Sequence, residues 1–222
     1  MSNNYGPRIV TDGLVLCLDA ADRNSFPGSG TTWKDLNNSY NANIVAGGSP
    51  TYRDIYGGVF DLDGTDDFML IPDPGSLGNF TISCWAYPLL SSTGVAPSII
   101  ASVYPSKVNF QITYYNNQTV RAGIYNGGWV QTSAVSASQA WQNLVLTYNG
   151  SSMILYRNTV SIANVSTSIS AQSSGSGIRI GRRWDFGDYW NGYISSVRIY
   201  NRALSSDEIT QNYQATKGRF GL

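Results

Sequence analysis

Apolar and polar residues alternate at period two along most of this chain, which predicts β-strands with one face against a core. The segment FTISCWAYP shows this most clearly, because Phe80, Ile82 and Cys84 share one face and polar or aromatic residues take the other. Two apolar sets alternate from residue 193 to residue 200, as in a strand between two layers. Residues 13–20, GLVLCLDA, are apolar almost throughout and are expected to be covered on both faces.

Turn residues divide these segments into about a dozen short strands, a pattern typical of an antiparallel β-sandwich or barrel. The Asn149-Gly150 pair is the strongest hairpin signal. A parallel sheet would need helices between its strands, and the pattern indicates one helix, near the C-terminus. There Ser205 and Glu208 have the spacing of a capping box, and Leu204 and Ile209 that of a hydrophobic staple. The prediction is one all-β domain with one short C-terminal helix.

The composition narrows the choice of partners. The chain has 222 residues, of which 13% are charged, and three lysines, so the basic stripe of a nucleic-acid-binding protein is not expected. No apolar run approaches the ~20 residues that a membrane helix needs. The opening MSNNYGPRIV lacks the basic start and apolar stretch of a signal peptide. We therefore expect no nucleic-acid or membrane partner, and synthesis in a cytoplasm without the usual export route.

The two cysteines lie in apolar strand segments. Cys17 is in LVLCL and Cys84 is in FTISCWAY, so both are predicted to be reduced core thiols rather than a disulfide. The sequence leaves open whether their strands are neighbours.

The residue inventory argues against catalysis. The chain has no histidine, which removes the usual general base and the commonest transition-metal ligand. Glu208 is the only glutamate, and the capping box explains it. Asp61 and Asp63 lie on one face of a predicted strand and could in principle form a carboxylate pair. The favoured interpretation is that they shape the DGTDD turn, so no enzyme is predicted.

Two groups of aspartates are candidate metal ligands. The cluster Asp61, Asp63, Asp66 and Asp67 departs from the EF-hand pattern and is explained as a turn. Asp185 and Asp188 lie in the loop before the last strand, where backbone carbonyls could assist them. Their hard oxygen ligands favour calcium over zinc, and calcium is the candidate cofactor.

The loop RRWDFGDYW, residues 182–190, is the candidate ligand-binding segment. It combines aromatic faces that can stack on a sugar ring with guanidiniums and carboxylates that can bind hydroxyls. The candidate residues are Arg183, Trp184, Asp185, Tyr189 and Trp190. The same residue types serve equally well in packing at the core or edge, and as anchors of a protein interface. A second aromatic group, with the same alternatives, comprises Tyr114, Tyr115, Tyr125 and Trp129.

Several segments occur in an order that resembles a known family. GLVLCLDA, FDLDGTDDF, FTISCWAYP, WQNLVLTYNGSSMILYRN, IRIGRR and WNGYISSVRIYNRALSSDEI follow one another as in LamG-like (concanavalin A-like lectin/glucanase) jelly-roll domains. The resemblance implies an antiparallel β-sandwich with jelly-roll topology over residues 13–213. Residues 1–12 would form an N-terminal arm and residues 214–222 a C-terminal tail. Relatives use glycan and calcium sites, so the resemblance implies both as candidates.

Two further segments, LVLCLDAADRNSFPGSGTTW near the start of the sequence and ATKGRFGL at its end, resemble stand-alone domains of bacteriophage virion proteins. That likeness implies a non-enzymatic virion structural or surface protein, either a capsid decoration protein or a tail or fibre component. It would be located in the virion and contact other virion proteins. A decoration protein would form a small homo-oligomer, tethered by the N-terminal arm or by the basic C-terminal tail (Lys217, Arg219). A tail or fibre component would present loops to a host glycan. The alternatives are a free carbohydrate-binding module and a degenerate glucanase-like enzyme.

Overall fold

Seventeen strands, one α-helix and one 3-10 helix form the described part of the computed structural model, which comprises residues 7–45, 48–90, 94–102, 110–116, 118–125, 128–168, 175–183 and 187–222. The strands are β1 (Leu14–Asp19), β2 (Thr32–Trp33), β3 (Ala42–Ile44), β4 (Thr51–Arg53), β5 (Val59–Asp63), β6 (Met69–Ile71), β7 (Phe80–Pro88), β8 (Ser98–Ser102), β9 (Phe110–Tyr115), β10 (Thr119–Tyr125), β11 (Trp129–Gln131), β12 (Val135–Ser136), β13 (Gln142–Tyr148), β14 (Ser152–Arg157), β15 (Val160–Ser166), β16 (Ile178–Ile180) and β17 (Asn191–Tyr200). The α-helix α1 spans Ser206–Thr216, and the 3-10 helix spans Lys217–Phe220.

The strands form two antiparallel sheets. The first sheet has the order β15-β14-β13-β7-β17-β5-β4, and β1 also pairs with β17. The second has the order β11-β10-β9-β8-β16-β6-β3-β2, and β12 also pairs with β10. This arrangement confirms the predicted antiparallel β-sandwich with one short C-terminal helix.

The core lies between the inner faces of the two sheets. Inward residues of the first sheet include Leu18, Phe60 and Ile82, and those of the second include Met69 and Ile112. All five are fully buried. One continuous core therefore holds both sheets together, as expected of a single sandwich domain.

Strand β7 follows the predicted alternation, yet almost every residue in it is buried. Phe80, Ile82 and Cys84 belong to the core between the sheets. Trp85, on the opposite face, is buried because Tyr213 and Phe220 from the C-terminal segment stack on its ring. The first sheet is therefore covered on both sides over part of its area.

Two predicted turns have different roles in the structure. Asn149-Gly150 joins β13 to β14 as a hairpin, with a φ of 91° at Gly150, which favours glycine. The DGTD turn also joins two strands, as predicted, but β5 and β6 belong to different sheets. Residues 63–69 therefore cross from one sheet to the other, and Gly64 takes a φ of 80° at the start of that crossing.

The predicted N-terminal arm differs from the structure within its described part, residues 7–12. The Val10 N–H donates to Asn212 Oδ1 at 2.7 Å, and the Tyr200 hydroxyl donates to the Val10 carbonyl at 3.1 Å. Val10 is buried. These buried contacts tie the segment to helix α1 and β17.

The predicted C-terminal tail also differs. Helix α1 continues to Thr216, and the 3-10 helix that follows it packs on the first sheet. Phe220 is buried between Trp85 and Trp141, with ring centroids 4.3 Å from each. Residues 214–220 are part of the packed domain because an aromatic anchor holds them there.

Helix α1 begins as predicted. Ser205 is its N-cap, and the reciprocal bonds of a capping box with Glu208 are both present. Leu204 and Ile209 belong to one buried cluster with Tyr200. No helix among the described residues has both the length and the apolar character that crossing a membrane requires.

Candidate functional site

The predicted ligand-binding loop stands between β16 and β17, and its two described ends are bonded to each other. Arg183 forms an ion pair with Asp188 at 2.9 Å, and its N–H donates to the Asp188 carbonyl at 3.0 Å. A Cβ atom at Gly94 would lie 2.3 Å from Asp188 Oδ1, so only glycine fits beside this carboxylate. Trp184 and Asp185 lie outside the described residues.

Tyr189 is half-buried against cationic and aromatic neighbours. The Arg182 guanidinium lies 4.9 Å from the Tyr189 ring centroid and 4.9 Å from that of Phe68. One face of the Tyr189 ring therefore packs against the positive charge of Arg182.

Trp190 is placed differently from the sequence-based expectation of a ligand contact. Its side chain is 1% exposed, lies in the core between the sheets and packs edge-on against Tyr114 at 5.0 Å. A buried indole cannot stack on a sugar. This corrects the assignment of Trp190 to a ligand site. Trp190 directly precedes β17, and the period-two alternation of that strand places its side chain on the inward face, with Ile194.

The second aromatic group is divided between the core and the surface. Tyr114 is buried, and burial raises the pKa of its hydroxyl. Tyr115 is 38% exposed and Trp129 is 37% exposed. Trp129 packs edge-on against Tyr125 at 5.6 Å. Period-two alternation on β9 separates Tyr114 from Tyr115.

The outward surface of the second sheet carries a pocket of about 70 Å³. We call this surface the polar face. Most of its side chains come from β9, β10 and β11, and the residues lining the pocket are Ala96, Gln111, Thr113, Tyr115, Arg121, Ala122, Gln131 and Arg183. Arg183 connects the pocket to the predicted loop.

Strand register brings the polar residues of this face together. Gly123 on β10 pairs with Gln111 on β9 and with Gln131 on β11. Arg121 pairs with Thr113. Directly opposed side chains on one face of a sheet lie about 5 Å apart at Cβ. Gly123 contributes no side chain, and the Trp129 ring and Gln131 lie over it, within 3.1 Å of where a Cβ atom would stand.

Gln111 is buried without full hydrogen bonding. It is 7% exposed, and its Oε1 has no hydrogen-bond partner among the described residues. Its neighbour Thr113 does have one, since its hydroxyl lies 2.8 Å from that of Ser98. Gln111 therefore presents an unused acceptor at the pocket.

Arg121 supplies positive charge to the pocket. Its guanidinium carbon lies 4.6 Å from the ring centroid of Tyr115, a cation–π contact. The described part of the chain offers Arg121 no carboxylate within ion-pair distance. A hydrogen-bond acceptor, a cation and an aromatic ring thus converge on one small pocket.

The DGTDD turn could hold a metal ion. Asp63, Asp66 and Asp67 bring carboxylate oxygens within 4.8 Å of one another. Burial raises the pKa of Asp67, and the charges of Asp63, Asp66 and Asp61 add to the rise, against the lowering effect of the hydrogen bond from the Asp63 N–H. Asp61 is engaged elsewhere, in an ion pair with Arg53 at 2.6 Å.

The sequence contained a partial signal for the polar face. The alternation in VNFQITYY already separates Gln111, Thr113 and Tyr115 from the apolar set. It does not show that Arg121 and Gln131 lie beside them, because that depends on the pairing of β9 with β10 and of β10 with β11. Strand pairing is a tertiary property that periodicity does not contain.

The two packed antiparallel sheets define a jelly-roll sandwich domain, and the polar face lies on the outside of its second sheet. Residues 63–210 match a sequence family described as the concanavalin A-like lectin/glucanases superfamily. The chain belongs to that superfamily.

Several solved structures share the fold. Domain 4 of AbnA, an extracellular arabinanase of family GH43 from Geobacillus stearothermophilus in complex with arabinotriose, has a TM-score of 0.71 at 18% identity, over 90% of this chain and 98% of that one. The Trypanosoma rangeli sialidase in complex with sialic acid gives 0.69 at 17%, over 96% of this chain and 35% of that one. The binding domain of botulinum neurotoxin DC in complex with SialylT gives 0.69 at 16%, over 92% and 52%.

Because the identities are 18% or lower, the likeness to these structures shows that the chain shares their fold. The chain spans about a third of the sialidase and about half of the toxin domain. The comparison with curated proteins gives no match.

Proposed function

We propose that this chain is a non-catalytic glycan-recognition domain that binds its ligand on the polar face. The observation that carries the proposal is the buried Gln111 Oε1, which lines the pocket without a hydrogen-bond partner among the described residues. Leaving a buried acceptor unpaired costs about 1–3 kcal/mol. A sugar hydroxyl is a donor of the right kind to pair with it.

The structural neighbours support this choice of ligand class. Their complexes contain arabinotriose, sialic acid and SialylT, which are sugars or are named for one. The fold itself does not determine a function, so the proposal rests on the polar face and takes the ligand class from both sources.

A non-enzymatic role is consistent with the placement of the carboxylates. Glu208, the single glutamate of the sequence, is bound by Arg202 and by the Ser205 N–H. Asp61 is paired with Arg53. Glu208 and Asp61 thus each have a structural role that explains their presence without catalysis.

We further propose that the domain acts on a virion, in contact with other virion proteins and as a homo-oligomer. The support is the sequence resemblance to stand-alone phage virion domains. A small, shallow site suits that setting, because a millimolar site contributes about −4 kcal/mol and many copies on one particle raise avidity by orders of magnitude.

A binding assay with one localising variant tests the glycan function. Glycans displayed at high density should retain the wild-type chain. Gln111→Leu should lose retention while keeping or raising the melting temperature, because it removes a buried polar group that lacks a partner. Gln214→Leu, on the exposed side of helix α1, is the control and should bind like wild type. If the glycans retain Gln111→Leu as well as wild type, the polar face is not the glycan-binding site.

Gold-labelled antibody on particles purified from the natural source tests the virion proposal. Label over the head would indicate a decoration protein, and label at the tail would indicate a tail or fibre component. Unlabelled particles would leave a free carbohydrate-binding module as the better description.

Calcium at Asp185 and Asp188 stays a proposal, with the DGTDD turn as the competing site. Melting temperatures in CaCl₂ and in chelator show whether calcium binds at all. If it does, Asp188→Asn and Asp66→Asn separate the two sites, because only the variant in the true site should lose the calcium-dependent rise.

A further inference from the structure

We propose that the polar face recognises the carboxylate of an acidic sugar, with Arg121 binding the carboxylate and Gln111 accepting a hydrogen bond from a neighbouring hydroxyl. This inference rests on the proposed glycan function and names the class of glycan.

The charge of Arg121 is the first argument. Its guanidinium stacks on Tyr115, and its Nε is buried without a hydrogen-bond partner among the described residues. No described carboxylate neutralises it. A guanidinium matches a carboxylate in shape and can donate two parallel hydrogen bonds to it. A ligand carboxylate would therefore supply both the missing acceptor and the missing charge.

The charge of the whole face is the second argument. Ala101 pairs with Gln111 on one side and with Arg179 on the other, so Arg179 lies on the same face. Arg182 shares the Phe68 ring with Arg179, and Arg183 lines the pocket. Asp188 forms an ion pair with Arg183 at 2.9 Å. A surface on which arginines are concentrated attracts ligands of the opposite sign.

The size of the pocket is the third argument. A volume of about 70 Å³ is well below the roughly 300–1,000 Å³ of pockets that enclose a whole small-molecule ligand. It suits a substituent of a sugar, such as a carboxylate, while the ring lies across the surface above. Gln111 and Gln131 border that position with amide groups, which can bond to ring hydroxyls.

Titration of the full chain with matched sugars tests the inference. The probes are 3′-sialyllactose and trigalacturonate, each beside its carboxyl-reduced counterpart, together with neutral arabinotriose. The variants are Arg121→Gln, Arg121→Lys and the control Arg53→Gln, which removes an arginine from the first sheet. Isothermal titration or chemical-shift titration gives the dissociation constants.

We expect at least one acidic sugar to bind, and its identity distinguishes a sialate from a uronate. Carboxyl reduction and Arg121→Gln should each weaken binding about tenfold to a hundredfold, as for loss of a charge-assisted hydrogen bond. Arg121→Lys should fall between, since lysine keeps the charge but not the fork of donors. Arg53→Gln should bind like wild type.

Equal binding of the acidic and reduced sugars, or equal binding by Arg121→Gln and Arg53→Gln, would overturn the inference and leave the glycan function standing. Binding of none of the sugars, neutral or acidic, would overturn the inference together with the proposed function. If Arg121→Gln fails to fold, the comparison of acidic and reduced sugars on the wild-type chain decides the matter alone.

Discussion

At the scale of single residues, Asp19 joins the ends of the chain through ion pairs. Arg219 donates to both of its carboxylate oxygens, at 2.6 and 2.7 Å, and Arg198 donates to it at 3.3 Å. Arg198 is 3% exposed. A buried guanidinium without its partner is costly, so the pair is strongly interdependent even though its net stabilising effect is small.

Asp19→Asn should therefore lower the free energy of unfolding at pH 7 by about 3–5 kcal/mol, the range for removing one partner of a buried pair. Urea unfolding followed by tryptophan fluorescence measures it. Asp54→Asn, which removes an exposed ion pair with Arg23 at 3.5 Å, is the matched control and should change stability by less than about 1 kcal/mol. Equal effects of the two substitutions would contradict a special role for Asp19.

The same carboxylate should make stability depend on pH. Burial opposes ionisation of Asp19, but the hydrogen bond from Arg219 and the charges of Arg198 and Arg219 outweigh it, so its pKa lies below the usual value. Its stabilising contribution is then complete above the unfolded pKa of about 3.9 and is lost as the pH falls through the lower folded pKa. Wild type should therefore lose more stability than Asp19→Asn between pH 5 and pH 2. Urea unfolding of both chains at each pH measures the difference. Parallel curves for the two chains would show that Asp19 does not titrate in this range.

At the scale of elements, helix α1 depends on its cap. The Ser205 Oγ accepts from the Glu208 N–H at 3.3 Å, and the Glu208 carboxylate accepts from the Ser205 N–H at 2.9 Å. Hydrogen bonds from Arg202 come first in lowering the pKa of Glu208 to about 2, and that from the Ser205 N–H adds to them. Glu208 is thus ionised at neutral pH.

Ser205→Ala should lower the free energy of unfolding by about 0.5–2 kcal/mol, because an N–H at the helix start loses its acceptor. Ser206→Ala makes the same chemical change one residue later, at an exposed position. It should stay within about 0.5 kcal/mol of wild type. Thermal or urea unfolding compares the two, and similar losses would mean that the capping bond contributes nothing specific.

The C-terminal 3-10 helix is the element for which sequence and structure give the clearest conflict. Phe220→Ala should cost about 3–5 kcal/mol, because the ring fills the space between Trp85 and Trp141. It should also change the tryptophan emission, since both indoles lose a neighbour. Deleting the exposed Leu222 alone should do neither. If Phe220→Ala folds with wild-type stability, residues 214–222 behave as a tail, as the sequence predicted.

The elements also show how far the sequence can be interpreted. Local sequence patterns are enough to predict some elements, namely strand β7, the Asn149-Gly150 hairpin and the capped helix. QATKGRFGL has no period and a basic character, and its burial depends on two tryptophans far away in the sequence. The polar face has the same origin, because β9, β10 and β11 create it by pairing.

At the scale of the whole molecule, β17 joins the parts of the first sheet. It pairs with β1, β5 and β7, and its inward residues contact the core shared with the second sheet. Loss of β17 would expose both sheets at once. The sandwich should therefore unfold as one cooperative unit rather than sheet by sheet.

The two thiols offer a direct test of that cooperativity. Cys17 pairs with Arg198 and Cys84 with Val197, so the cysteines lie on strands either side of β17. Strands on either side of a third are about 10 Å apart, too far for a disulfide, whose Cα atoms lie within about 7 Å. Both thiols are buried, and burial raises the pKa of each. They should be reduced and unreactive in the native protein.

In native buffer a thiol reagent should therefore label neither cysteine within minutes, and in denaturant it should label both. Across a urea series, the labelling of Cys17→Ser and of Cys84→Ser chains should follow the same transition as tryptophan fluorescence, because each remaining thiol becomes accessible when the shared core opens. Each variant is referred to its own fluorescence transition, which controls for any change in stability. Labelling of Cys17 well below that transition would show that β1 opens separately from β17, and would contradict a single cooperative unit.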